Sequence, residues 1–310
     1  MMQVVQSTSQ PPAGALAAIA SDIKLSHSVF AMPFALLAAF MAASGGGNIE
    51  WGRFGGQLTL IVLAMIFART CAMLANRWLD REIDADNPRT AGRAIPSGRL
   101  SAGQALLALG VSGALFMGVC AAFGVMYGNW WPAMLGVPVL AWICAYGLFK
   151  RFTSMCHLWL GASLAISPLA AGIAIDPSSL TAQPALWLLA GMVLCWVAGF
   201  DIIYALQDVE VDRVQGLYSI PSRLGMRGAM WMSRVLHAGA VGCLIAALAM
   251  DHRFGAIFSA GVAAVVALLV IEHATVARWG TTKIALTFFT LNGVISCILG
   301  AMGILDVLLR

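Results

Sequence analysis

Nine long apolar runs dominate this chain of 310 residues, and few charged residues interrupt them. A helix of about 17 to 25 apolar residues is long enough to cross a bilayer. Hydrophobic residues make up 60% of the sequence and charged residues only 10%, whereas a soluble domain carries about a quarter. Only lipid can solvate so much apolar surface, so we predict an all-α polytopic membrane protein. The nine predicted transmembrane helices lie near residues 27–45, 57–79, 102–126, 131–149, 156–175, 184–207, 229–250, 254–272 and 285–308.

Basic residues are distributed unevenly between the two sides of this arrangement. If the N-terminus is cytoplasmic and the helices alternate, most of the 18 lysines and arginines face the cytoplasm. Only Arg53, Arg253 and Arg310 lie on the far side, and Arg69 lies within a helix. The positive-inside rule favours this orientation. We therefore predict a cytoplasmic tail over residues 1–24 and one transmembrane domain over residues 25–310, in the inner (cytoplasmic) membrane of the cell.

Two polar segments follow directly after apolar runs and share one pattern. Each places oxygen-bearing side chains four residues apart, and each is followed by an Ile-Pro-Ser turn. The first acidic motif comprises Asn76, Asp80 and Asp84, and the second comprises Tyr204, Asp208 and Asp212. Residues four apart lie on one face of a helix, so each motif predicts a ladder of polar side chains at a helix end. The repeated order favours a duplicated helix–loop unit.

Such ladders are typical of a magnesium-dependent phosphate site. Stacked carboxylates repel one another, so the arrangement is favourable only when cations hold it. Hard oxygen ligands suit Mg²⁺ better than a transition metal, and Mg²⁺ usually completes its shell with water and substrate phosphates. The neighbouring arginines can bind further phosphate oxygens. We therefore predict a diphosphate clamp formed near residues 80–101 and 208–228. The simpler alternative is that these charges are only solvated loop residues at helix ends.

Asp201 extends the second motif deeper into an apolar run. Seven residues separate it from Asp208, so it lies two helical turns further from the helix end. A polar side chain inside a membrane is costly and is usually functional. The sequence therefore places Asp201 among the candidate site residues.

The two segments also resemble the two signature motifs of the UbiA-type intramembrane prenyltransferases. The first resemblance covers the Asn76-x-x-x-Asp80-x-x-x-Asp84 motif with residues 87–98, and the second covers the DIIYALQDVEVD stretch with the following SIPSR. The similarity extends over nearly the whole chain, from residue 24 to the ninth predicted helix. It is strongest to the bacterial 4-hydroxybenzoate polyprenyltransferases and to their menaquinone-linked relatives.

This resemblance implies an enzyme that transfers a polyprenyl chain from its diphosphate to an electron-rich aromatic ring, with Mg²⁺ as cofactor. It implies catalytic roles for Asp80, Asp84, Asp201, Asp208 and Asp212. It implies metal ligation by Asn76, Asp80, Asp84, Asp208 and Asp212. It implies diphosphate binding by Asn76, Arg89, Arg93, Tyr204 and Arg223. Whether Asp201 orients the acceptor or joins the metal cluster stays open.

Recognition of the acceptor is less well determined by the sequence. Lys150 and Arg151 resemble a basic pair that 4-hydroxybenzoate enzymes place near the acceptor, although both could equally be positive-inside anchors. The resemblance favours 4-hydroxybenzoate in ubiquinone synthesis, and a naphthoate-type precursor of menaquinone is the alternative. The expected partners are thus a polyprenyl diphosphate, a small aromatic acid and the lipid bilayer. We expect no nucleic-acid partner, and the sequence does not determine the oligomeric state.

A membrane transporter or cation channel is the competing class of protein, because acids within a membrane can line an ion path. Transport sites lie near the middle of the bilayer, typically at broken helices. Here the two ladders lie at the predicted cytoplasmic ends of helices, and only Asp201 is deeper. The arginine-rich loops also favour a substrate that carries phosphate.

Overall fold

The computed structural model describes residue 19 and residues 30–45, 47–284 and 286–310, and no β-strand occurs in these ranges. The predicted tail over residues 1–24 therefore lies outside the described residues, apart from Ile19. Thirteen α-helices follow one another in the remaining part. They are α1 Met32–Ser44, α2 Trp51–Leu79, α3 Arg81–Ala85, α4 Ala102–Tyr127, α5 Trp131–Cys144, α6 Tyr146–Phe149, α7 Cys156–Ile175, α8 Ser179–Ala182, α9 Ala185–Ala205, α10 Val209–Val214, α11 Ile220–Met250, α12 Ala256–Trp279 and α13 Asn292–Leu309.

Eight apolar helical stretches in the described residues are long enough to cross a membrane. Seven of these stretches start at the first residues of α2, α4, α5, α7, α9, α11 and α12. The eighth is Thr287–Leu309, which contains α13. Helix α1 is also apolar but has only 13 residues. The first predicted run begins at residue 27, outside the described part, so a ninth transmembrane helix stays a prediction. The multi-pass, all-helical architecture is confirmed.

Helix α9 lies at the centre of the bundle, between α7 and α11. Fourteen of its 21 residues are buried, including Trp196, Phe200 and Asp201. Its approach to α7 depends on Gly161, because a Cβ there would lie 2.3 Å from the backbone oxygen of Leu194. The second acidic motif therefore leaves the bundle from its most tightly packed helix.

Both acidic motifs lie where a helix stops and restarts. Helix α2 ends at Leu79 and α3 begins at Arg81, with Asp80 between them at φ −93° and ψ 5°. Asp208 has nearly the same conformation, φ −104° and ψ 3°, between a 3₁₀ turn and α10. In the first motif the Asp80 amide still donates to the Asn76 carbonyl at 2.9 Å, so the four-residue ladder survives the break.

The two Ile-Pro-Ser segments differ in the structure. Residues 95–97 lie in turns, as predicted, whereas Ile220 begins helix α11. Ser219 caps this helix, because its hydroxyl accepts from the Ser222 amide while the Ser222 hydroxyl accepts from the Ser219 amide. Proline is also favourable in the first helical turn. The predicted loop over 208–228 therefore consists mostly of α10 and the first turns of α11, which Gly225 interrupts at φ +67°.

Candidate active site

The carboxylate of Asp80 is buried at the end of α2 among polar side chains. Its side chain is only 2% exposed. The Asn76 amide donates to Oδ2 at 3.0 Å, and Lys150 Nζ lies 2.9 Å from the same oxygen. Arg151 Nη2 lies 3.6 Å from Oδ1, which accepts no hydrogen bond. The structure thus places both residues of the predicted acceptor pair against the first acidic motif.

Asp84 is buried one turn further along and has its own basic partner. Arg93 Nη1 lies 2.7 and 2.6 Å from the two Asp84 carboxylate oxygens. The Thr90 hydroxyl donates to the Asp84 carbonyl at 3.0 Å, which folds the loop after α3 back over the motif. Two residues predicted as metal and diphosphate ligands are therefore in direct contact.

Arg89, on the loop that follows the first acidic motif, contacts the second motif. Its Nε and Nη2 donate to the two oxygens of Asp208 at 2.8 and 2.6 Å, and its Nη1 donates to the Tyr204 hydroxyl at 3.1 Å. Burial opposes the charge of this guanidinium, but the hydrogen bonds and charge of Asp208 outweigh it and raise the pKa of Arg89. Such a two-bond fork is the strongest form of arginine–carboxylate contact. The loop that follows the first motif therefore lies against the second motif.

The last residues of the second motif contact the segment that leads into α11. Ser219 donates its hydroxyl to Asp212 Oδ2 at 2.6 Å. Arg223 does not reach a carboxylate in this arrangement, because its guanidinium stacks 4.0 Å from the centre of the Tyr218 ring. Its predicted contact with a diphosphate stays a prediction.

Asp201 lies deeper, where it pairs with a histidine that the sequence analysis did not single out. His157 Nδ1 is 2.7 Å from Asp201 Oδ2, and both residues are buried. A lone histidine in an apolar run gives no periodic signal. Its position six residues after Arg151, which itself contacts the first motif, is the only pointer in the sequence.

An apolar cavity of about 360 Å³ opens beside the first motif, between α1, α2, α4, α5 and α7. Helix α2 lines it from Ile61 to Asn76, a rise of roughly 22 Å. Among its few polar lining residues are Asn76, Tyr146 and Arg69. The Arg69 Nε is buried and has no hydrogen-bond partner among the described residues. The sequence analysis missed Arg69 and Tyr146. Arg69 precedes Asn76 by seven residues, which is two helical turns on the same face.

The donor set fits Mg²⁺, although no three His, Cys, Asp or Glu side chains in the described ranges already converge as a metal cage. The acids offer only oxygen ligands, and one of them, Asp80 Oδ1, is buried without a hydrogen bond. Each of Asp80, Asp84 and Asp208 is instead paired with a basic side chain. These are the side chains that a bound metal and diphosphate would displace from the carboxylates.

Comparison with known sequences gives a consistent result. Residues 31–294 match the model of the UbiA prenyltransferase family. The 4-hydroxybenzoate octaprenyltransferase of Nitrosomonas eutropha is 29% identical over 258 residues, which is 81% of this chain and 84% of that protein. The 4-hydroxybenzoate octaprenyltransferase of Shewanella sediminis is 30% identical over 185 residues, and the match spans only 59% of either chain.

Solved structures share the fold. A UbiA homologue from Aeropyrum pernix K1, in its apo form, has a TM-score of 0.79 at 29% identity, over 91% of this chain and 98% of that one. A UbiA homologue from Archaeoglobus fulgidus bound to GPP and Mg²⁺ has a TM-score of 0.69 at 18% identity, over 94% of this chain and 99% of that one. The paired acidic motifs and the cavity thus occur in a bundle with known structural relatives.

Proposed function

Because this chain belongs to the UbiA prenyltransferase family, we propose that it uses Mg²⁺ to transfer a polyprenyl chain from its diphosphate to a small aromatic acid, with 4-hydroxybenzoate the first candidate. The observation that carries this proposal is the convergence of two acidic motifs and three basic side chains beside an apolar cavity. One end of such a site suits a metal-bound diphosphate, and the other suits an isoprenoid chain.

The acidic motifs would hold the metal and the donor. The proposed Mg²⁺ ligands are Asn76, Asp80, Asp84, Asp208 and Asp212. When bound, Mg²⁺ would supply positive charge to the diphosphate and improve it as a leaving group. The A. fulgidus homologue, which binds GPP and Mg²⁺, supports this assignment.

The basic side chains would bind the diphosphate itself. Arg89, Arg93 and Lys150 now neutralise the carboxylates, and each is long enough to turn towards a phosphate oxygen. When the allylic C–O bond breaks, both its electrons leave with the diphosphate, so fixed cations there stabilise the transition state. We propose two further diphosphate contacts, which are Arg223 and Tyr204, whose hydroxyl already accepts a hydrogen bond from Arg89.

The acceptor would lie between the polar end of the cavity and Asp201, which does not itself line the cavity. A ring carbon of the acceptor bonds to the first carbon of the prenyl chain and then loses its hydrogen as a proton. Asp201 would accept a hydrogen bond from the acceptor hydroxyl, which raises the electron density of the ring. Arg69 is our candidate for the acceptor carboxylate, since its guanidinium lines the cavity with Nε unpaired.

Arg151 and Lys150 remain the alternative contacts for that carboxylate. The two assignments differ in their kinetics. If Arg69 binds the carboxylate, Arg69→Gln should raise the acceptor KM by about tenfold or more, because a charged hydrogen bond is lost, while Arg151→Gln should not. The reverse result would return the role to Arg151.

We further propose that the acidic motifs face the cytoplasm and that the protein lies in the inner membrane, as the distribution of basic residues favours. A site at that face has access to a soluble aromatic acid, while the cavity has access to lipid. The family is one of enzymes, so the transporter alternative is set aside.

The experiment uses purified protein in detergent, GPP or a longer prenyl diphosphate, and a panel of 4-hydroxybenzoate and dihydroxynaphthoates. Products are followed by mass spectrometry with Mg²⁺ and with EDTA. A prenylated product that requires Mg²⁺ supports the proposal, and the acceptor that reacts decides between the ubiquinone and menaquinone precursors. No product with any donor and acceptor, from protein shown to be folded, would contradict it.

A further inference from the structure

The contact between His157 and Asp201 is one of the most buried polar contacts near the site. Only 3% of His157 and 7% of Asp201 is exposed. The two side chains come from neighbouring helices, α7 and α9, and their atoms Nδ1 and Oδ2 are 2.7 Å apart. None of the steps proposed above uses His157, although burial in the bundle makes an idle polar group costly.

The second ring nitrogen of His157 fixes which nitrogen carries the proton. The Ile220 backbone amide lies 3.3 Å from Nε2, and an amide N–H can only donate. Nε2 must therefore accept, so Nδ1 carries the hydrogen and donates it to Asp201. The ring is held at both ends in one tautomer.

The Asp201 carboxylate consequently has one oxygen engaged and one available. Oδ2 accepts from His157, whereas Oδ1 accepts from no side chain in the described part of the chain. About 10% of the side chain remains exposed. Tyr146, which lines the cavity, lies within electrostatic range of this carboxylate. The open oxygen is thus available to a small molecule in the site.

The backbone that restrains His157 also restrains the two acidic motifs. Ile220 follows Ser219, whose hydroxyl donates to Asp212. In the same segment the Tyr218 amide donates to the Lys150 carbonyl at 2.7 Å, and the Gln215 side chain donates to the Ile83 carbonyl at 3.3 Å. The segment from residue 215 to residue 220 therefore connects the first motif, the second motif and His157.

We propose that His157 is a positioning residue, which orients Asp201 so that the Asp201 Oδ1 is directed at the acceptor hydroxyl. His157 is itself held by the segment from residue 215 to residue 220, which also contacts both acidic motifs. The inference rests on the proposed function, and it assigns Asp201, the deepest carboxylate of the site, to the acceptor rather than to the metal. His157 itself touches no substrate. Through Ile220 it makes the placement of the acceptor depend on the same segment that supports the diphosphate end of the site.

Two variants of His157 test this role. His157→Leu removes both hydrogen bonds, whereas the amide of His157→Gln can donate to Asp201 and accept from Ile220. We expect His157→Leu to lower kcat with 4-hydroxybenzoate about 10- to 100-fold, as for loss of a hydrogen bond to a charged group. The donor KM and the Mg²⁺ dependence should stay within about twofold, and His157→Gln should recover most of the loss. A purely structural role would instead change the donor KM and the melting temperature together with kcat.

A double variant tests whether His157 affects kcat through Asp201. Because His157 acts through that carboxylate, His157→Leu should cause no further loss of kcat in an Asp201→Asn background. Losses that multiply would overturn the proposal, as would full kcat in folded His157→Leu or no recovery in His157→Gln. The comparison of leucine with glutamine decides the matter even if Asp201→Asn has no measurable turnover. A wild type that prenylates no acceptor would count against the proposed function, whereas an active wild type with an equally active His157→Leu would count against this inference alone.

Discussion

Asp80 and Asp208 hold the same local position in the two acidic motifs. Each lies at a helix break with φ near −100° and ψ near 0°, and each contacts a basic side chain from another segment. At these breaks the Asp80 carboxylate contacts Lys150, and the Asp208 carboxylate contacts Arg89. This shared geometry makes the two residues the first to test.

Asp80→Asn and Asp208→Asn should each lower turnover by on the order of 100-fold or more, because each loses a charge that holds the metal. Turnover is measured by mass spectrometry, and folding by the melting temperature in detergent. Asp176→Asn is the matched control, since Asp176 lies at a helix end and, among the described residues, its carboxylate accepts hydrogen bonds from Ser178 alone. Turnover near the wild-type rate in either variant would remove that residue from the metal site.

Arg89→Lys should raise the donor KM by about tenfold, because lysine keeps the charge but cannot form the two-bond fork. Arg99→Lys is the matched control on the same loop, where Arg99 bonds only to the Ser97 hydroxyl and the Gly92 carbonyl. Steady-state kinetics with GPP measures both. Equal KM values in the two variants would show that the fork has no part in donor binding.

At this scale the sequence predicts the ladder residues and the basic residues around them, but not which base pairs with which acid. The four-residue spacing is enough to single out Asp80, Asp84 and Asp208. Partners such as Arg89 for Asp208, 119 residues apart, arise only from tertiary packing. His157 and Arg69 were missed for the opposite reason, because a single polar residue in an apolar run has no repeat to mark it.

At the scale of whole elements, the end of the bundle remote from the acidic motifs is joined by one arginine. Arg253 donates to the Met41 carbonyl and the Ser44 hydroxyl at the end of α1, and to the side-chain Oε1 of Gln183 before α9. It also pairs with Asp251 at 2.6 Å. A cation at a helix C-terminus is favourable, so Arg253 fixes α1 to the loop between α11 and α12.

Arg253→Ala should destabilise the folded protein by about 3 kcal/mol, since it leaves Asp251 buried and unpaired. Burial opposes the charge of Asp251, but the hydrogen bonds and charge of Arg253 outweigh it and lower its pKa. A carboxyl group whose pKa is lower in the folded than in the unfolded protein stabilises the fold at pH values above its unfolded pKa. This stabilisation is lost as the pH falls through the pKa of the folded state.

The difference in stability between wild type and Arg253→Ala should therefore be constant from pH 6 to 8 and shrink below about pH 4. Thermal unfolding in detergent across this range measures it, with Arg53→Ala, an exposed arginine at the same end, as control. A difference that grows on acidification would contradict the assignment of this pair.

The helix boundaries show how far patterns in the sequence reach. The apolar runs predict that the long helices exist, because a bilayer requires an apolar stretch of about 17 to 25 residues. Their ends are less well predicted: α2 begins at residue 51 instead of 57, α11 begins at 220 instead of 229, and α12 ends at 279 instead of 272, because these helices continue past the apolar run. The apolar runs also do not distinguish the two Ile-Pro-Ser segments. The segments are identical in sequence, but Ala94 precedes the first and Ser219 precedes the second. Only Ser219 can form a capping box with Ser222, so only the second segment starts a helix.

At the scale of the whole molecule, the orientation of the bundle in the membrane can be tested directly. Ser97 lies on the end that carries the acidic motifs, and Ser178 lies between α7 and α9 at the other. We expect Ser97→Cys to react with an impermeant maleimide only after the cells are permeabilised, and Ser178→Cys to react in intact spheroplasts. The unchanged protein gives the background from its native cysteines. Reactivity in the reverse order would invert the proposed topology.

The internal ion pairs of the acidic motifs have a consequence for biogenesis. A chain inserted into a membrane with several uncompensated carboxylates would face a large desolvation cost until a metal arrived. Here Lys150, Arg93 and Arg89 supply the countercharge from within the chain. This countercharge would allow the newly made protein to complete its folding without a bound metal.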